Sequence, residues 1–422
     1  MTQLHAIKGS RNIVFLVIVA SLGYFVDIYD LMIFSIVRIA SLHDIGIDNA
    51  HIRPAGIFIL NMQVFGLMLG GILWGILGDK LGRLRVLFGS ILLYSLANIA
   101  NGMVHDLNSY AIVRFIAGVG LSGELGAGIT LVSETLSKEK RGYGTMTVSM
   151  IGLLGSIAAG FAGNHDWRTA YYIGGGLGLL LLALRLGTFE SGLYKNAAKA
   201  GVSKGNILML FTNRKRFLKY LYCIMMGAPI WFIVGIIITL SPELSVALGA
   251  PEKFNAGTAV MTFYCGAAVG NILAAVLAQL TRSRKLTMLI FLLSNAICVL
   301  ILLNARGITS RQFIAIGFMI GLTGGYLATL VTIATEQFGT NIRATVTTTV
   351  PNFIRGTLIP INAFFSVLLT RFDTLKSGMI TMIVLTTIAL FALSQLKESF
   401  SNDLDYLEIT EKEQESEPEL VV

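Results

Sequence analysis

The chain has 422 residues, of which 54% are hydrophobic and 13% charged, and its mean hydropathy is +0.73. A soluble chain carries roughly 25% charge, and here the deficit extends over the whole length, which leaves no stretch for a water-soluble catalytic domain. The net charge of +8 lies in loops between apolar runs, where orientation in a membrane explains it, so it signals no nucleic-acid partner.

Twelve apolar runs of membrane-spanning length follow one another at 13–39, 54–78, 84–103, 108–134, 142–164, 168–190, 217–241, 254–280, 286–304, 311–336, 343–370 and 374–396. The first begins behind Lys8 and Arg11 and has no small-residue cleavage site, so it reads as a retained helix. Residues 191–216, with Lys195, Lys199, Lys204, Arg214, Lys215 and Arg216, form the one long internal loop. That loop separates an N-terminal unit, 1–190, from a C-terminal unit, 217–396. The acidic stretch 397–422 reads as a solvated, disordered tail. Lys and Arg concentrate in the N-terminus, alternate loops and the C-terminus, which predicts both termini in the cytoplasm. Cys223, Cys265 and Cys298 are scattered within apolar runs and have no disulfide or metal spacing.

Between the second and third runs, Gly75, Asp79, Gly82 and Arg83 form a G-x-x-x-D-x-x-G-R turn. An internal repeat with an offset of 202 residues matches Glu134 and Arg141 to Glu336 and Arg343, and Gly123 to Gly325. At the same offset the charged turn becomes Thr281-Arg282-Ser283-Arg284-Lys285, which keeps the basic charge but lacks the Asp and Gly. Weaker gating contacts are therefore expected in the second half. Glycine rows such as Gly66, Gly70 and Gly71, or Gly266 and Gly270, predict close helix packing.

Ionisable groups inside a span are costly, so each is a functional candidate. Asp27 and Asp30 share nearly one face of the first helix. Asp30 lies ~12 Å and Arg114 ~9 Å deep from the same side, which predicts that they pair. Glu124 falls near mid-membrane in the fourth run, and Asp27 is free to face a cavity. A carboxylate can gain or lose a proton as its pairing with an arginine is broken or made, so Asp30, Arg114 and Glu124 are the proton-coupling candidates. Arg355 lies between Pro351 and Pro360, near Asn352 and Asn362, where freed backbone groups suit a binding site. It suits a substrate carboxylate; the alternative is a partner for Glu124 or Asp27 across the two halves. Cavity acids in the first half and an Arg in the second suit a zwitterion. With Asp27, Arg355 and Asn352, the residues Gln63, Trp231, Tyr264 and Tyr326 are candidates to line the substrate pocket, beside Phe232 and Asn271.

The Asp79 turn resembles the cytoplasmic loop between helices 2 and 3 of the major facilitator superfamily. The R-x-x-x-G-x-G pattern of Arg114, Gly118 and Gly120 and the pair Trp167-Arg168 carry the same resemblance. It implies an all-α membrane protein with twelve transmembrane helices in two pseudo-symmetric six-helix bundles. It also implies a cytoplasmic gate built from Gly75, Asp79, Gly82, Arg83, Glu134, Arg141, Glu336 and Arg343. Asp27-Ile28-Tyr29-Asp30 resembles an element of proton-coupled sugar porters, in which a helix 1 Asp faces the helix 4 Arg. The stretch from Gly23 to Leu31, Phe34 to Arg38, and Glu190-Ser191-Gly192 resemble the phagosomal transporter family of intracellular bacteria, whose members import amino acids and in a few cases nucleosides.

The resemblance implies an importer in the bacterial inner membrane that takes up an amino acid by proton symport with alternating access. Its partners would be a small solute, protons and the bilayer, with no cofactor, metal or nucleic acid, and it would act as a monomer. Nucleosides, organic acids or sugars are alternative substrates, as is export by proton antiport. The fifth run, Gly152 to Gly160, lacks the proline common in exporters. A receptor that no longer transports is a further alternative, which the intact Asp79–Arg83 turn disfavours. No nucleophile constellation or cofactor loop suggests an enzyme.

Overall fold

The structure, a computed structural model, describes residues 2–81, 83–124, 141–190 and 209–400. All regular elements among these are helical. The first half contains α1 (Thr2–Asp44), α2 (Ile52–Leu81), α3 (Arg83–Asn101), α4 (Leu107–Leu121), α5 (Arg141–Ala162) and α6 (Trp167–Glu190). The second contains α7 (Arg214–Phe232, continued by a π-helical stretch Ile233–Ile238), α8 (Ala256–Thr281) and α9 (Arg284–Asn304). It is completed by α10 (Ser310–Gly324, then Leu327–Glu336), α11 (Thr340–Gly356, then Leu358–Leu369) and α12 (Thr374–Gln395). Among the described residues nine helical stretches are long and apolar enough to cross a membrane, and α3, α4 and α5 supply three shorter apolar ones. The twelve-helix architecture expected from the sequence is the one found.

Polar residues in the loops fix where several helices begin. Asp106, Asn213, Asn255, Ser283 and Asp373 each accept a backbone N–H at the start of a helix, and Thr309 and Gln312 form a reciprocal capping box on α10. Large side chains such as Leu96, Ile112, Leu180, Leu280 and Val367 remain exposed on the outside. That surface would be a liability in water and is the expected one against lipid.

The repeat is visible in the backbone. The fourth and tenth runs, each expected to be continuous, both break: α4 at Ser122-Gly123 and α10 at Gly325-Tyr326, the positions that the 202-residue offset matches. Close packing is repeated too. A Cβ on Gly66 would strike the Phe115 carbonyl and one on Gly118 the Gln63 carbonyl, joining α2 to α4. Gly266 against Phe318 and Gly321 against Phe263 do the same for α8 and α10. The halves meet where α2 packs on α11 (Gly71 on Asn352, Gly356 on Met68) and α5 on α8 (Gly160 on Met261).

Two boundaries differ from expectation. α1 continues past residue 39 to Asp44, which places Arg38 inside a helix rather than at its end. The tail was expected to be solvated from residue 397, but Lys397–Phe400 fold onto the second half; residues 401–422 lie outside the described residues. Glu398 accepts hydrogen bonds from the Ser283 hydroxyl and the N–H groups of Arg284 and Lys285 at the start of α9. Ser399 donates to Glu336, which also takes Arg284 Nε and Nη2 at 2.6 and 2.7 Å. The tail thus brings an acid to the second-half turn that lacks the Asp, a compensation no linear pattern revealed.

Partial burial alone would raise the Glu398 carboxyl, but hydrogen bonds from Ser283 and the Phe400, Arg284 and Lys285 N–H groups hold it below its ordinary value. A depressed folded-state value stabilises above the unfolded value of about 4.3 and ceases to do so as pH falls through the folded one. Glu398→Gln is therefore expected to cost about 1 kcal/mol near neutral pH, the size of a helix cap, and progressively less in acid. Thermal unfolding of the purified protein against pH checks this; a pH-independent difference would contradict it.

Candidate functional site

Three carboxylates in the first half are each matched by an arginine. On α1, Asp30 accepts Arg114 Nη1 from α4 at 3.2 Å, and Arg114 Nη2 donates to the Asp30 carbonyl at 3.1 Å. Both side chains are fully buried. The Arg114 guanidinium lies 5.5 and 5.9 Å from the ring centroids of Tyr171 and Phe34. The Tyr171 hydroxyl is 2.6 Å from that of Tyr110, which donates to Ser41. The depth-matched pair is therefore present, framed by aromatic rings.

One turn earlier on α1, Asp27 accepts Arg355 Nη2 from α11 at 3.2 Å, a contact between the two halves. Arg355 lies 5.9 Å from the Trp231 ring. Asp27 Oδ1 and Arg355 Nη1 are buried and make no hydrogen bond, so the pair is held by a single bond with capacity left on each side. The sequence left Arg355 between a substrate carboxylate and a partner in the other half; the structure pairs it with Asp27 and not with Glu124. Asp27, expected to face a cavity freely, has this partner.

Glu124, just beyond the break in α4, binds Arg185 of α6 with both oxygens: Nη1 donates to Oε2 at 3.1 Å and Nη2 to Oε1. Gly23 of α1 makes room, because a Cβ there would strike Glu124 Oε1 and Arg185 Nη2. Sequence reading missed Arg185, although the signal was the usual one, an ionisable residue five positions inside a predicted span. Removing one member of a buried pair strands a charge at a cost of about 3–5 kcal/mol, whereas replacing both by apolar residues is far milder. Glu124→Gln is thus expected to lower the thermal stability of the detergent-solubilised protein more than the double change Glu124→Leu with Arg185→Leu. The reverse order would contradict a structural pair.

Among the remaining pocket candidates, Trp231 lies by Arg355, and Tyr264 is buried edge-on against Phe263. Gln63 is buried, with Nε2 unbonded. Asn352 Nδ2 donates to the Ser122 carbonyl at 3.0 Å and so ties α11 to the break in α4. Asn362 donates to Asn61 at 2.6 Å, again between halves. Asn271 receives the Ala328 N–H, Phe232 packs against Phe365, and Tyr326 is buried at the break in α10 with its hydroxyl unbonded. Of the gate candidates, Gly75 has open space around it, and Glu336 binds Arg284. Gly82 and Glu134, and the side chains of Asp79, Arg83, Arg141 and Arg343, lie outside the described residues.

A fourth pair was missed altogether. Arg38 of α1 is 1% exposed, and its Nη2 donates to both oxygens of Glu243, at 2.6 and 2.7 Å. Glu243 lies on a short helix, Ser241–Ala247, that follows α7. Beside it the Thr239 hydroxyl donates to Ser35 at 2.9 Å. Both contacts join the two halves at the end of the bundle where α1 finishes.

A family model described as Major Facilitator Superfamily matches residues 20–353. The 3-(3-hydroxy-phenyl)propionate transporter of Escherichia coli is 28% identical over 295 residues, which cover 68% of this chain and 71% of that protein. The benzoate transport protein of Acinetobacter baylyi is 30% identical over 178 residues, 40% of this chain and 37% of that one. The solved structure of the proton:xylose symporter XylE bound to 6-bromo-6-deoxy-D-glucose superposes with a TM-score of 0.68 at 16% identity, covering 94% of this chain and 98% of that one.

Proposed function

The chain belongs to the Major Facilitator Superfamily, and from that membership we propose that it imports a small carboxylate-bearing metabolite, an amino acid, by proton symport with alternating access. The observation that carries the reading is the single-bonded Asp27–Arg355 pair between the halves. A zwitterion satisfies both members at once: its carboxylate takes Arg355 with two hydrogen bonds, and its ammonium takes Asp27. The pair closes the site when it is empty and gives way when the solute supplies the same charges. Asp30 with Arg114 lies one turn away on the same helix, close enough for its protonation to respond when α1 and α4 shift. Both termini are assigned to the cytoplasm of a bacterial inner membrane, as the distribution of Lys and Arg supports.

A second reading, an aromatic carboxylate without the ammonium, is favoured by the aromatic acids in the names of two relatives and by the Trp231 ring beside Arg355. A thermal-shift screen of the purified protein against amino acids, aromatic acids, nucleosides and sugars tests both. A ligand that binds only the folded state stabilises it by RT ln(1 + [L]/Kd). Shifts confined to a few amino acids support the first reading, and shifts with benzoate-like acids the second. Shifts only with nucleosides or sugars contradict both.

A further inference from the structure

Arg38 is engaged through one of its three nitrogens; Nε and Nη1 are buried and make no hydrogen bond. Its partner Glu243 is not sealed in: 27% of its side chain is exposed. A narrow cleft beside Glu243, bordered by Arg53, Leu240, Leu244 and Thr374, holds about 20 Å³, room for about one water molecule. It shares Arg53 and Thr374 with a wider surface cleft of about 420 Å³ that also contains Arg306 and Asp373. Asp373, which caps α12, is the acid among the described residues lining the wider cleft, against the two guanidinium groups of Arg53 and Arg306, so the path carries a net positive charge. A buried arginine with unfilled donors, held by a carboxylate that water can reach from a basic cleft, is arranged for exchange of one carboxylate for another.

We propose that Arg38 is a second carboxylate-recognition site, at the face remote from the chain termini, which Glu243 occupies until a solute carboxylate arrives through the Arg53–Arg306 cleft and displaces it. The displacement breaks a contact between the halves, so arrival of the solute releases this face. The inference rests on the reading that the transported solute carries a carboxylate. It makes Glu243 an internal substitute for that group.

Ser35 lies one turn from Arg38, is 3% exposed and bonds to Thr239 across the same seam, so it reports opening. The test uses Ser35→Cys in a protein whose Cys223, Cys265 and Cys298 are replaced by serine, reconstituted in nanodiscs and labelled with a hydrophilic maleimide. Glu243→Gln is expected to raise the labelling rate about tenfold or more, as loss of a charge-assisted bond implies. Benzoate is expected to raise it in the unmodified pair, and benzamide, the uncharged analogue, to leave it unchanged. The swap Arg38→Glu with Glu243→Arg is expected to restore slow labelling, which separates loss of the latch from loss of the fold. Unchanged labelling in Glu243→Gln overturns the latch, and equal effects of benzoate and benzamide overturn the exchange. The benzoate response is expected to persist in Arg355→Gln; if it vanishes there, it belongs to the inner site and the outer one is refuted. Transport of a solute without a carboxylate would sink the functional reading, yet leave the Glu243→Gln result to judge the latch.

Discussion

Arg355→Ala is expected to remove binding of carboxylated solutes while the fold persists in a suitable control. Arg355 is the arginine that bridges the halves at mid-molecule, through one bond to Asp27 with Nη1 unfilled. A charge-assisted hydrogen bond contributes about 1.5–3 kcal/mol, so its loss should weaken carboxylate binding by up to about a hundredfold. Alanine also leaves Asp27 buried and uncompensated, which lowers stability on its own. The control is therefore Asp27→Asn with Arg355→Gln, a neutral pair of similar size that removes the charge imbalance. Affinity measured by ligand-induced thermal shift should fall in both variants, and unliganded stability only in Arg355→Ala. Unchanged affinity in both would remove Arg355 from the binding site.

The second large effect concerns energy coupling. Asp30→Asn is expected to abolish accumulation driven by a pH gradient and to spare exchange of labelled for unlabelled solute. Exchange needs the carrier to reorient only with solute bound, whereas accumulation needs a group that binds a proton on one side and releases it on the other. Asn leaves the Arg114 charge without its carboxylate, which lowers stability. Arg114 keeps the Asn carbonyl, the residue 30 main-chain oxygen and the flanking Phe34 and Tyr171 rings, and exchange activity in the same variant serves as the control for folding. Proteoliposomes loaded for counterflow, then for uptake under an imposed pH gradient, separate the two activities. Gradient-driven accumulation that survives in Asp30→Asn would refute the coupling role.

The sequence revealed the twelve helices because a bilayer demands apolar runs of fixed length, and it revealed Asp30–Arg114 because depth along two helices can be counted from residue numbers. It named Asp27 as one of two possible partners of Arg355 without choosing it, and it missed Arg38–Glu243, since the members lie 328 and 205 residues apart and meet only where the halves touch. Arg38 was hidden by a misplaced helix end: lying next to the expected end of the first run at residue 39, it passed as a surface charge, whereas α1 continues to Asp44. Arg185 was legible and overlooked. The docking of Glu398 on α9 was hidden by composition, because an acidic tail reads as solvated whether or not its first residues find N–H groups to bind. The paired breaks at Gly123 and Gly325 show the limit of hydropathy, which continues through a glycine that the backbone uses to turn.

A carboxylated solute and a proton are expected to cross together. The direct measurement is proton flux into proteoliposomes containing a trapped pH dye, recorded as amino acids and benzoate are added outside without a pre-set gradient. Acidification of the lumen that accompanies uptake of the solute, and that disappears in Asp30→Asn, is the predicted result. Uptake that proceeds with no proton movement would contradict it.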